Sequence, residues 1–120
     1  MFPYRLIQVE CRGDVFCVRL KHTRLEEIEI QEFGEEMVSL SDRHGCRHLA
    51  LSLGPETPYC LFSVFLSRLV SIRNAYQKLG GGFVLCEVGT QTYSTFTACR
   101  LQGEFVFLPD FAATVRHFAA

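Results

Sequence analysis

The sequence contains no tryptophan, no long apolar run and no excess of charge of either sign. The formal net charge of −1 argues against a nucleic-acid-binding protein, because such proteins carry a basic surface. No apolar run reaches the ~18 residues that a helix needs to cross a bilayer, so we expect no membrane insertion. The apolar segment at 1–9 is short and carries Arg5 and Gln8, which predicts no secretion signal and a cytoplasmic protein.

Common catalytic motifs are also missing. There is no GxSxG elbow, no P-loop, no GxGxxG after a strand and no HExxH. The glycine run at 80–82 follows a predicted helix instead of opening one, so it indicates a helix C-cap and not a phosphate-binding loop. No nucleophile and base, and no pair of carboxylates, are placed by their spacing for catalysis. We therefore expect a binding module without a cofactor, and not an enzyme.

Six cysteines are present, but no two of them form a CxxC pair. Cys17 and Cys86 lie in apolar strand patterns, where a free cysteine behaves as a small buried hydrophobe. His44, Cys46 and His48 alternate, but three ligands this close rarely form a metal site without a distant fourth, and none is evident. We expect free thiols in a reducing cytoplasm and no metal.

The 120 residues, of which 48% are apolar, suit a single domain with one core. Apolar residues recur at helical steps through 61–79, which predicts a helix with one wide buried face. Its other side is a polar stripe that we expect to face outward, made of Ser63, Ser67, Ser71, Asn74 and Lys78. A strand is predicted before this helix, at 49–53, and another after it, at 83–88. Together they form a βαβ unit.

The flanking sequence supplies the remaining elements. They are antiparallel strands at 4–11 and 15–20 joined by a turn, a helix at 28–42, a helix at 90–101 with Thr90 as N-cap, an edge strand at 104–108, and a helix at 111–118 capped by Asp110. The glutamates of the helix at 28–42 are expected to form a solvated face or, alternatively, an acidic docking surface. The order predicts an α/β fold, with a mixed, mostly parallel sheet of about five strands and about four helices.

This order of elements, together with several short segments, resembles the STAS domain, the fold of bacterial anti-sigma factor antagonists. The resemblance covers about 10–118. It is carried by the Leu-Glu-Glu…Phe-Gly-Glu-Glu-Met segment at 25–40, the apolar strand at 49–53, Phe-Leu-Ser-Arg-Leu at 65–69, Gly-Gly-Phe-Val-Leu-Cys at 81–86 and Cys-Arg-Leu at 99–101. It implies one STAS-like (SpoIIAA-like) domain over 1–120, which acts as a signalling switch. The partner it implies is an anti-sigma factor or a serine-kinase-like protein.

The resemblance also implies a phosphorylated serine at the start of the second helix and places Ser63 at that position. The candidate partner-binding residues are Thr57, Tyr59, Phe62, Ser63 and Ser67. This chain reads Leu-Phe-Ser-Val at 61–64 where the family pattern is roughly Asp-Ser-Ser-Gly, and it has Ser52 where a strand Asp is common. An alternative therefore stays open: a diverged STAS domain without the switch, serving as a homodimer, an assembly module or a small-ligand sensor.

Local signals leave the start of this second helix open as well. Thr57 followed by Pro58 is typical of an N-cap and a first helical residue. A helix that began there would place Ser63 beyond its first turn.

Overall fold

The computed structural model describes residues 3–55, 58 and 63–119. Within them the elements are β1 (Ile7–Arg12), β2 (Val15–Leu20), α1 (Glu27–His44), β3 (His48–Ser52), α2 (Ser63–Lys78), β4 (Gly82–Cys86), α3 (Thr90–Ala98), β5 (Val106–Leu108) and α4 (Phe111–Ala119). This is the predicted order, and the α/β class is confirmed. No helix of the described ranges is both long and apolar enough to cross a membrane.

The strands form one mixed sheet in the order β1-β2-β3-β4-β5. β1 and β2 are antiparallel and meet through a tight turn at Gly13 and Asp14, whereas β2, β3, β4 and β5 run parallel to one another. β3 is the central strand, and Leu49 to Ser52 are all buried. The carboxyl ends of β2, β3 and β4 consequently lie at the same edge of the sheet.

Each face of the sheet has its own apolar core. α1, α2 and α3 cover one face, and their main core includes Phe33, Phe65 and Phe96. α4 covers the other face with a smaller second core, made of Val15, Cys17, Ala50, Cys86 and Phe111. The small side chains of the second core allow α4 to pack close to the sheet.

The prediction of a solvated glutamate face on α1 is wrong for Glu36, which is buried. Its carboxylate accepts hydrogen bonds from the backbone N–H groups of Arg5 (2.9 Å) and Leu6 (3.1 Å). Those two N–H groups lie just before β1, so Glu36 fixes the chain entering the sheet against α1. The nearby Glu32 pairs with the Arg5 side chain at the surface.

α2 has the expected two faces. Every residue of the polar stripe is exposed, and Phe65, Leu66, Leu69, Ile72 and Tyr76 are buried. The apolar periodicity at 61–79 also predicts a buried Leu79, but Leu79 is 48% exposed because it follows the last residue of α2, Lys78. Pro58 is not helical, so the interpretation of Pro58 as the first helical residue is wrong; Thr57 lies outside the described residues.

Smaller differences occur in the C-terminal third. Thr90 is the first residue of α3 and not its N-cap, since Gly89 occupies the cap position with an extended backbone. α3 also ends earlier than expected, and β5 is shorter. The cap of α4 is confirmed, because the N–H of Ala113 donates to Asp110 Oδ1 at 2.8 Å.

Candidate functional site

The structure places the predicted phosphoacceptor, Ser63, at the start of the described part of α2. Ser63 and Ser67 are both exposed, one helical turn apart, on the same face of the helix. The other three candidates, Thr57, Tyr59 and Phe62, lie outside the described residues.

Ser63 and Ser67 line a surface groove of about 500 Å³ together with Val64, Arg68 and Ser71. Val64 is 41% exposed, which gives the hydroxyl-rich groove one apolar contact point. We call this surface the serine groove. Its hydroxyls can donate and accept hydrogen bonds, and Arg68 adds one positive charge.

Arg68 connects the serine groove to α1. Its side chain lies against Gly34, where an added Cβ would come within 2.4 Å of Arg68 Cδ. On the far side of Arg68, a second groove of about 420 Å³ runs along α1 past Glu35, Ser39 and Asp42. The serine groove and the groove along α1 thus meet at Arg68 and form one continuous polar surface on the outer faces of α1 and α2.

A second polar group, which the sequence did not predict, lies at the carboxyl ends of the parallel strands. Glu87 Oε1, just after β4, accepts hydrogen bonds from Arg19 Nη1 of β2 (2.5 Å) and from Ser52 Oγ of β3 (2.5 Å). We call these three residues the strand-end cluster. Each of them is a polar residue near the end of an apolar predicted strand, and that shared position is the signal that could have identified them.

The strand-end cluster is charged at neutral pH. Burial acts to raise the pKa of Glu87, but hydrogen bonds from Ser52 and Arg19 and the positive charge of Arg19 outweigh it, so the pKa of Glu87 lies below its ordinary value. Glu87 is therefore a carboxylate that accepts hydrogen bonds and not a proton donor for catalysis.

The cluster also fixes the start of the connection from β3 to α2. Ser52 Oγ accepts the N–H of Gly54 (3.3 Å), and an added Cβ at Gly54 would lie 2.2 Å from the carbonyl oxygen of Glu87. The Arg19 guanidinium lies 4.7 Å from the ring centroid of Phe111, which ties the cluster to α4. The first residues of the connection from β3 to α2 are therefore held in place by the strand-end cluster.

The three cysteines that are buried in the described part of the chain do not form a reactive site. Burial is the largest cause of the raised pKa of each thiol, to about 11 for Cys17 and about 12 for Cys46 and Cys86. These thiols stay protonated at neutral pH and are weak nucleophiles. Cys46 Sγ contacts the carbonyl oxygen of His48 at 3.5 Å, and the His48 ring stacks on Phe118 with centroids 4.3 Å apart. Both side chains are thus part of the packing.

Comparison with protein-family models found no match, and comparison with curated protein sequences found none either. Solved structures do match. The crystal structure of a Thermotoga maritima protein, described as a candidate anti-sigma factor antagonist, superimposes with a TM-score of 0.73 at 16% identity, covering 95% of each chain.

Two further solved structures agree with it. A STAS domain protein from Planctomyces limnophilus gives a TM-score of 0.73 at 15% identity, covering 92% of this chain and 96% of the other. The Bacillus protein SpoIIAA, in its phosphorylated form, gives 0.67 at 12% identity, covering 92% and 97%. The chain therefore has the STAS fold of the anti-sigma factor antagonists, as its sequence predicts.

Proposed function

We propose that the protein is a regulatory protein-binding module and not an enzyme. Its partner is an anti-sigma factor or a serine-kinase-like protein of the cytoplasm, and the contact surface is the serine groove of α2. One observation carries the proposal: on a STAS fold, the outward face of α2 presents Ser63 beside an exposed apolar side chain, Val64.

Phosphorylation of Ser63 switches this contact. A phosphoserine adds a charge of about −1.5 to −2 and three acceptor oxygens. In the free protein that charge is exposed to water at Ser63, so it costs little. In a complex it lies within the interface, where it repels acidic groups and disrupts apolar contacts such as those of Val64. The structural neighbour SpoIIAA was solved in its phosphorylated form, which supports this reading by analogy of fold.

The remaining candidates belong to the same proposed surface. Ser67 lies one turn further along the groove and completes the hydroxyl face. Thr57, Tyr59 and Phe62 lie outside the described residues and stay candidates from the sequence. The alternative stays a prediction: a diverged STAS domain without the switch, serving as a homodimer, an assembly module or a small-ligand sensor. A stable dimer in size-exclusion chromatography with light scattering would favour it.

The experiment combines phosphosite mapping with binding. We expect mass spectrometry of the protein purified from cells that produce it to find phosphate on Ser63. We also expect Ser63→Asp to weaken binding to the isolated partner at least tenfold, because the carboxylate adds a negative charge to the contact surface. The matched control is Ser94→Asp, which adds the same charge at an exposed serine of α3.

Unphosphorylated Ser63 under every growth condition, combined with unchanged binding by Ser63→Asp, would contradict the switch. Equal losses from Ser63→Asp and Ser94→Asp would show a general charge effect and would contradict the assignment of α2 as the contact surface.

A further inference from the structure

A cleft of about 260 Å³ opens at the carboxyl edge of the sheet, apart from the serine groove. One wall is the end of β2 and the residues after it, with Arg19, Lys21 and Thr23. The other wall is the end of β3 and the beginning of the connection to α2, with Ser52, Pro55 and Pro58. The cleft thus lies where the parallel strands β2 and β3 both end.

The described lining of this cleft is positively charged. It includes two cationic side chains, Arg19 and Lys21, and no carboxylate. Glu87, which does not line the cleft, accepts a hydrogen bond from Arg19 Nη1. Glu26 and Glu29 line an adjoining depression on the far side of Lys21. A chain with slightly more acidic than basic residues thus concentrates two cations in one concave place.

Both cations keep donors for a ligand. Lys21 Nζ donates to the carbonyl oxygen of Tyr4 (2.6 Å), and an ammonium has three donors, so two are left. Among the described residues, the hydrogen bonds of Arg19 use only Nη1, and its guanidinium face covers Phe111. The Nε and Nη2 groups are available in the fixed fork geometry that suits an oxyanion.

We propose that this cleft binds a small molecule that carries a phosphate monoester. A phosphate needs several converging donors, and a guanidinium, an ammonium and the Thr23 hydroxyl supply them from one wall. Leu20, Leu53 and Pro58 provide apolar surface for the organic part of the ligand. The volume limits that part to a few atoms.

Among the residues that the structure describes, this cleft shares no lining residue with the serine groove. Two of its lining residues, Pro55 and Pro58, belong to the connection from β3 to α2.

The test is a titration of the ¹⁵N-labelled protein, without any partner, with phosphoserine and inorganic phosphate as probes. Ionic strength is held constant with sodium chloride, because salt screens exposed charges. We expect saturable amide shifts confined to Arg19–Thr23 and Ser52–Gly54, with phosphoserine binding more tightly than inorganic phosphate. Shifts spread over the surface, or equal binding of the two probes, would overturn the proposal.

The two lysines of the sequence provide a matched pair of variants. We expect Lys21→Gln to weaken phosphoserine binding about tenfold, which corresponds to the loss of one charge-assisted hydrogen bond. Lys78→Gln, at the far end of α2, removes the same charge and should leave binding unchanged. Lys21→Arg keeps the charge and should retain binding, which separates ligand contact from any loss of folding. Equal effects of Lys21→Gln and Lys78→Gln would overturn the proposal.

Discussion

Glu36 joins α1 to the chain segment that enters β1 through two backbone hydrogen bonds. Glu36 is 9% exposed, and Leu6, whose N–H its carboxylate accepts, is fully buried. A buried N–H group without an acceptor costs about 1–3 kcal/mol, and hydrogen bonds to charged groups are at the upper end of the range. At the scale of one residue, Glu36 is therefore a structural anchor.

We expect Glu36→Ala to lower the free energy of unfolding by about 2–3 kcal/mol, because it leaves the N–H groups of Arg5 and Leu6 without their acceptor. Urea unfolding monitored by circular dichroism measures the change. Glu35→Ala is the matched control: Glu35 is exposed and adjacent on the same helix, and its removal should change stability by less than about 0.5 kcal/mol. Similar losses in the two variants would show that helix charge, and not the buried contact, is responsible.

The role of Glu36 could not be predicted from the sequence, because its partners lie about 30 positions away along the chain. The hydrogen bonds of the strand-end cluster could not be predicted either, because Arg19, Ser52 and Glu87 lie far apart in the sequence. Their shared position at strand ends could have indicated the group but not its contacts. The exposure of Ser63 and Ser67 was predictable, because a helical period is a local pattern.

At the scale of an element, the glycine run after α2 determines where this helix ends and how closely the chain packs against the entrance to β3. The N–H of Gly81 donates to the carbonyl oxygen of Tyr76 (3.0 Å) and closes the helix, which supports the C-cap interpretation. Gly81 also lies against the chain just before β3, where an added Cβ would come within 1.8 Å of the carbonyl oxygen of Arg47. Backbone atoms cannot move aside as a flexible side chain can.

We expect Gly81→Ala to lower the free energy of unfolding by about 2–3 kcal/mol, because either α2 or the strand entrance must shift. Gly103→Ala is the control, since an added Cβ at Gly103 meets nothing within 4 Å, and its effect should stay below about 0.5 kcal/mol. Urea unfolding of both variants provides the comparison. A tolerated Gly81→Ala would mean that the close approach to Arg47 is not a constraint in solution.

Most elements were predictable, because apolar periodicity and turn residues act over a few positions. The errors fall at the ends of elements, because contacts with neighbouring segments determine the residue at which a helix or strand begins or ends. Thr90 has the chemistry of an N-cap, but Gly89 takes that position. Pro58 has the chemistry of a first helical residue, but it lies outside α2.

At the scale of the whole molecule, the sheet separates two apolar cores of unequal size. The second core depends on α4, which contributes Phe111 over Cys17 and Cys86, whereas Cys46 belongs to the main core beneath α1 and α2. α4 is a short C-terminal helix, and elements with few buried contacts open locally at a lower free energy than the whole protein. The buried cysteines thus report separately on the two cores.

We expect Phe111→Ala to speed the alkylation of Cys17 and Cys86 at least tenfold at pH 8 while Cys46 keeps its rate, because the lost ring weakens only the contact of α4 with the sheet. All three thiols have a raised pKa through burial, so reaction requires the local core to open. Iodoacetamide labelling followed by peptide mass spectrometry resolves each site, with the exposed Cys11 and Cys99 as internal references for reagent activity. Equal acceleration at Cys17, Cys46 and Cys86 would show instead that both cores open together, and that α4 belongs to one cooperative unit with the rest of the fold.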